Sequence, residues 1–195
     1  MGDYFQTIVD TEATEAEAPE LAARIVAWLV AEGMIEAELS EGWTLGAPGH
    51  KPLPGAKAAA KGRTKFDESW GGLEVTAGKR TSFDSGQYTQ PEQARCPQCR
   101  GTTEFVDEEW EENPELWEPF ADALADWEKG GEGLVACAAC VAESPVNRWH
   151  WRSESLVPGC LGFTFWGWPE LTETFREEFA RRLGGHNTEH LRGKV

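Results

Sequence analysis

Apolar and polar residues alternate over "DYFQTIVD" (3–10), the pattern of a β-strand with one buried face. Immediately after it the spacing lengthens. Leu21, Ile25, Trp28 and Leu29 recur at helical intervals, Thr14 with Glu17 offers a capping box, Pro19 suits a first turn and Gly33 suits a C-terminal stop. "MIEAEL" (34–39) then returns to strand character. The far end of the chain repeats this order. "LGFTFWGW" (161–168) sets Leu161, Phe163 and Phe165 on one face and Trp166 and Trp168 on the other. Pro169 is placed to open a helix carrying Leu171, Phe175, Phe179 and Leu183, which Gly184 and Gly185 would stop. "NTEHLRGKV" (187–195) can form a last strand.

Each end is therefore strand, helix, strand, and each helix has one apolar stripe that needs a sheet to cover it. The expected fold class is α+β, with the two strand-helix-strand units forming a ferredoxin-like sandwich and a long insertion between them. On this reading residues 1–45 and 158–195 make a discontinuous body. Residues 46–93 are a Gly/Pro/Lys-rich loop, beginning "GAPGHKPLPGAKAAAKG", with a hairpin expected about Ala77 and Gly78. Residues 94–151 are the remainder of the insertion and carry a third helix, started by Asn113 and Pro114, striped by Leu116, Phe120, Leu124 and Trp127, and stopped by Gly130.

The insertion contains two cysteine pairs, Cys96-Pro97-Gln98-Cys99 and Cys137-Ala138-Ala139-Cys140. A tight Cys-x-x-Cys turn aims both sulfurs at one ion and turns backbone amides toward them, and two such turns complete a tetrahedral shell. Over residues 94–151 these pairs resemble the paired knuckles of zinc ribbons, with a linker longer than usual. The resemblance implies a structural Zn2+ held by Cys96, Cys99, Cys137 and Cys140, since four thiolates leave no position open for water. Cys160 lies next to an expected strand and reads as a small buried thiol. His150 in "RWHWR" has no partner at knuckle spacing, and His186 and His190, though four apart like helical zinc ligands, follow Gly184-Gly185 into a turn and strand, so all three read as ordinary polar histidines.

Charge sharpens the picture. The 195 residues have a net charge of -16, unevenly spread. Residues 1–50 hold ten acidic and one basic side chain, and residues 101–150 hold thirteen and two. Residues 51–100 hold nine basic against five acidic. Such a surface repels nucleic acid and anionic lipid and suits either a basic protein partner or simple solubility. The acidic N-terminus lacks the basic-then-apolar order of a signal peptide, and no apolar run is long enough for a membrane span. A cytoplasmic location is expected, where cysteines serve metals more often than disulfides.

No G-x-S-x-G elbow, H-E-x-x-H, Walker loop or strand-flanked G-x-G-x-x-G occurs. The expected function is a noncatalytic, zinc-binding protein-interaction module that neutralises or regulates a basic partner, as immunity and antitoxin proteins do. Two alternatives stand beside it. One is a nucleic-acid-binding zinc ribbon using Lys51, Lys57, Lys61, Arg63, Lys65, Lys79 and Arg80. The other is an enzyme with a pocket lined by Trp149, Trp151, Trp166 and Trp168 and with His150 or a carboxylate as base.

Overall fold

A computed structural model describes residues 3–62, 66, 70–86, 90–107, 109–152 and 155–195. The chain runs through β1 (Tyr4–Asp10), α1 (Ala18–Ala31), β2 (Ile35–Ser40), β3 (Gly49–Pro52) and β4 (Leu73–Asp84). It continues through β5 (Gln93–Arg95), β6 (Thr102–Glu104), α2 (Pro114–Glu128), β7 (Leu134–Ala136), β8 (Glu143–Pro145) and β9 (His150–Trp151). It ends with β10 (Leu156–Trp166), α3 (Glu173–Arg182) and β11 (Thr188–Lys194). The class is α+β with antiparallel sheets.

One six-stranded sheet has the order β11-β1-β10-β4-β3-β2. Strand β1 pairs Phe5 with Trp166 and Asp10 with Leu161 on one side, and Phe5 with Gly193 and Asp10 with Thr188 on the other. Helices α1 and α3 cover the face that carries Ile8, Leu161, Phe163 and Phe165, all 1 % exposed or less. There the Phe163 and Phe179 rings meet edge to face at 4.8 Å, and Trp28 of α1 stacks on Phe175 of α3 at 5.5 Å. The opposite face has a smaller cluster, Val9, Phe83, Val157 and Leu191.

The start of α1 shows the reciprocal bonding of a capping box: the Glu17 amide donates to Thr14 Oγ1 at 3.3 Å and the Thr14 amide to Glu17 Oε2 at 3.2 Å. Helix α2 begins as its sequence predicts, with Asn113 Oδ1 accepting the Leu116 amide. Helix α3 starts later than Pro169. Leu171 is still extended there, bridged to Ala60, and its amide is taken by Gln6 Oε1, so the helix waits for Thr172, whose Oγ1 accepts the Phe175 amide.

Two expectations for residues 46–93 are corrected. The first is the structureless loop: β3 joins the main sheet, and a 3-10 turn over Pro54–Ala58 buries Ala56 and Ala59 completely. Alanines pack there without leaving a large-residue pattern, held by bonds from the Gly55 amide to the Gly33 carbonyl and from the Thr172 amide to the Ala59 carbonyl. The second is the hairpin. Residues 73–84 form one strand along β10, pairing Leu73 with Phe165 at one end and Asp84 with Leu156 at the other. Gly78, at φ 77°, serves a bulge in that ladder and does not reverse the chain. Thus β4 and β3 stand between β10 and β2, where a simple pairing of the two terminal units would have placed β10 beside β2. Among the described residues no helix is long and apolar enough to cross a membrane.

Candidate metal centre

Each cysteine pair closes the tip of a short hairpin. Residues 96–101 join β5 to β6, and residues 137–142 join β7 to β8. The two tips are built alike. In the first, the Cys96 amide donates to the Gly101 carbonyl (2.8 Å) and the Arg100 amide to the Cys96 carbonyl (3.0 Å). In the second, Cys137 donates to Ala142 (3.0 Å) and Val141 to Cys137 (2.8 Å). Arg100 and Val141, each following a second cysteine, both take positive φ, 66° and 54°. Left-handed backbone at non-glycine residues is uncommon, and its recurrence at matching positions marks one local device used twice.

The hairpins bring all four sulfurs within 4.8 Å of one another. Cys96 Sγ lies 3.9 Å from Cys140 Sγ, and Cys99 Sγ lies 3.7 Å from Cys137 Sγ. A tetrahedron with metal–sulfur bonds of about 2.3 Å has edges of about 3.8 Å, so this spacing fits one ion at the centre. Amides also point at the sulfurs, Gln98 N–H at Cys96 (3.4 Å) and Gly101 N–H at Cys99 (3.3 Å), which offsets thiolate charge. Cys96 and Cys137 are buried, Cys140 is half-buried and Cys99 is exposed.

The protons of the cluster are unevenly held. The amides of Cys140 and Ala139 bring the Cys137 thiol down to about 7. At Cys140 the amide of Ala142 pulls downward too, but burial and hydrogen bonds to Cys99, Cys137 and Cys96 outweigh it and push the thiol up to about 12. Four thiolates at this distance repel one another, and a divalent cation is what would favour ionising all of them.

Around the tetrad lies an aromatic core. Phe120 of α2 meets Phe105 at 4.9 Å and Trp149 at 4.7 Å, both edge to face, and Trp117 meets Trp151 at 6.2 Å. The insertion is tied to the main sheet by Arg80 of β4. Its guanidinium pairs with Glu15 at 2.9 Å, lies over the Trp127 ring and donates to the Trp127 and Gly131 carbonyls at the end of α2. Two residues on, the Ser82 amide donates to Glu128 Oε1 at 2.8 Å.

The other candidate residues are scattered. Cys160 is buried apart from the tetrad, and burial, with the Glu15 charge adding to it, pushes its thiol up. His150 is exposed at the edge of a cavity of about 270 Å³ that Arg148, Pro158 and Glu189 also line. His186 Nδ1 sits 2.9 Å from Asp10 Oδ2, while Asp10 Oδ1 accepts the Glu12 and Ala13 amides. His190 Nε2 is buried with no hydrogen-bond partner among the described residues. The four tryptophans do not make one wall: Trp149 and Trp151 belong to the metal-centre core, whereas Trp166 packs on Phe5 and Trp168 on Phe165 and Trp70.

Of the seven cations weighed for nucleic acid, Lys51 pairs with Glu36, Lys61 with Glu170 and Arg80 with Glu15, while Arg63 and Lys65 lie outside the described residues. The Arg80 clamp was not anticipated from the sequence, and the only local hint of it is an arginine in a long strand beside an acidic helix. Compared with known proteins, the chain matches no family model, no curated protein and no solved structure.

Proposed function

We propose that the chain is a noncatalytic, cytoplasmic protein-interaction module in which a structural zinc(II), bound by Cys96, Cys99, Cys137 and Cys140, orders an acidic insertion on a ferredoxin-like body enlarged by β3 and β4. The observation that carries this reading is the sulfur tetrad, whose spacing fits a closed tetrahedral shell with no position left for a reacting water. The charge of the region it orders, thirteen acidic side chains against two basic over residues 101–150, favours a basic protein, as in immunity and antitoxin proteins. Pairing of Lys51, Lys61 and Arg80 with carboxylates supports a protein partner over nucleic acid.

Two measurements test this. Elemental analysis of the full chain is expected to give zinc at about one ion per chain, retained through dialysis. Affinity capture from native extract is expected to bring down a basic protein. Its association rate should fall as salt rises and fall again when exposed Glu109, Glu111 and Glu115 are changed to Lys. A monomer that captures nothing, or a partner indifferent to both salt and charge reversal, overturns the interaction reading. Iron in place of zinc overturns the metal assignment.

A further inference from the structure

A cleft of about 250 Å³ lies far in the chain from the four cysteines, between the turn after β2 and the end of β10. Three indoles line it, Trp43, Trp70 and Trp166, together with Asp3, Leu45 and the backbone of Gly71. Its construction depends on two consecutive glycines. A Cβ on Gly71 would lie 2.6 Å from the Trp166 carbonyl oxygen, and one on Gly72 would lie 2.7 Å from Trp43 Cβ. Neither glycine needs an unusual φ; both are needed because the segments bearing Trp43 and Trp166 close on the same dipeptide. The Gly72 amide donates to the Trp43 carbonyl at 2.6 Å, and the Trp166 amide to the Gly72 carbonyl at 3.0 Å.

Two of the polar groups that could read a sugar or a nucleobase are already engaged. Trp166 Nε1 donates to Glu74 Oε2 at 3.0 Å, and the Thr44 hydroxyl donates to the Ala47 carbonyl. What the cleft offers a ligand is the one charged side chain among its lining residues, the carboxylate of Asp3, beside the half-buried indoles of Trp43 and Trp166; the third indole, Trp70, is buried. Aromatic faces are electron-rich and attract cations, most strongly those of tryptophan. The surroundings already use this chemistry. Lys51 Nζ lies 5.5 Å from the Trp43 ring centroid, and Lys194 Nζ lies 5.2 Å from that of Tyr4, whose carbonyl accepts the amide of the cleft residue Gly167. Lys51 is not among the residues lining the cleft, and a net charge of -16 raises the local concentration of any small cation.

We propose that this cleft binds an alkylammonium group, carried either by a free small amine or by a lysine side chain of a partner. Trp43 and Trp166 hold the cation between aromatic surfaces, and Asp3 supplies the opposite charge. The site is independent of the metal centre.

The test is a titration of the full chain, followed through the indole N–H resonances of the tryptophans. The probes are tetramethylammonium, neopentyl alcohol as an uncharged analogue of similar size, and N-acetyl-lysine methylamide. Saturable shifts of Trp43 and Trp166 with the two cations, absent with the alcohol and unchanged after chelation, are expected. Asp3→Asn and Trp43→Leu should each weaken binding by roughly twofold to thirtyfold. Tighter binding of the lysine derivative points to a partner's side chain, and tighter binding of tetramethylammonium to a free amine. Equal binding of the alcohol, or no saturable shift with either cation, overturns the proposal. Should Trp43→Leu fail to fold, the exposed Asp3→Asn substitution decides, since a cation site must lose affinity when that charge is removed.

Discussion

The guanidinium of Arg80 donates to the carbonyl oxygen of Gly131 at 2.7 Å, joining a strand of the main sheet to the chain just beyond α2. The same nitrogen reaches the Trp127 carbonyl at 3.2 Å, so a positive charge sits where the helix dipole is negative. Replacing Arg80 by Met should remove both bonds and the Glu15 pair while keeping most of the side-chain volume. The expected loss is about 1–3 kcal/mol in chemical denaturation, with faster amide exchange at the C-terminal end of α2. Arg80→Lys should recover only part of it, because an ammonium does not reproduce the fork that serves Glu15 and two carbonyls together. Unchanged stability in Arg80→Met would show that the insertion is held elsewhere.

Removal of the metal should act locally before it acts globally. Cys96→Ser, Cys140→Ser or chelation is expected to accelerate amide exchange across residues 94–151 while β1, β10 and β11 keep their protection. The tips of the two hairpins meet at the four sulfurs, so losing the ion releases that junction first. Exchange that is the same in wild type, mutant and chelated protein would remove the structural role assigned to the four sulfurs.

Acid should weaken the fold through His190. Burial first, and then the charges of Arg176 and Arg192, lower its pKa from 6.5 to about 4, with Glu170 opposing them. Between those two values the unfolded chain holds the proton and the folded chain does not, so stability falls as pH drops from about 6.5 to about 4 and this contribution levels off below. With the ring partly exposed, screening leaves of the order of 1–2 kcal/mol. Denaturation midpoints of His190→Gln should lose that part of the slope, and an identical pH profile in the two proteins would exclude His190 as its source.

Two glycines of the sheet are irreplaceable for reasons of contact. A Cβ on Gly162 would lie 2.3 Å from the Phe83 ring, and one on Gly193 would lie 2.1 Å from Phe5 Cζ. Gly162→Ala and Gly193→Ala are each expected to destabilise by about 1–3 kcal/mol in thermal or urea unfolding. Phe5→Leu should relieve part of the effect of Gly193→Ala and none of that of Gly162→Ala. Additive behaviour in both pairs would contradict the contacts as described.

What could be read beforehand followed from how local its cause is. Helix α2 was legible from Asn113-Pro114 to Gly130, because its cap, first turn and stop are all written within it. The knuckles were legible for the same reason, each being a turn of six residues. Pro169, a good first-turn residue locally, predicts too early a start for α3, because Gln6, 165 residues away from Leu171, holds that residue extended. Within residues 73–84 Gly78 by itself predicts a turn and so a hairpin; only β10, far along the chain, makes it a bulge. The Trp43 cleft had no local sign at all, since it exists only where Gly71 and Gly72 meet segments from two other parts of the chain.

The strand order also has a consequence in time. Strand β1 is flanked only by β10 and β11, so its two ladders are made with residues 156–194 and close loops of well over a hundred residues. Pairing across such separations is slow, whereas the two knuckle hairpins and α2 need only contacts within residues 94–151. The metal-centre region is therefore expected to form first, and the part of α1 around Trp28 waits uncovered until β10 and α3 arrive. A ribosome-bound chain halted before β10 should accordingly be protected at the knuckles and open to protease at its N-terminal helix.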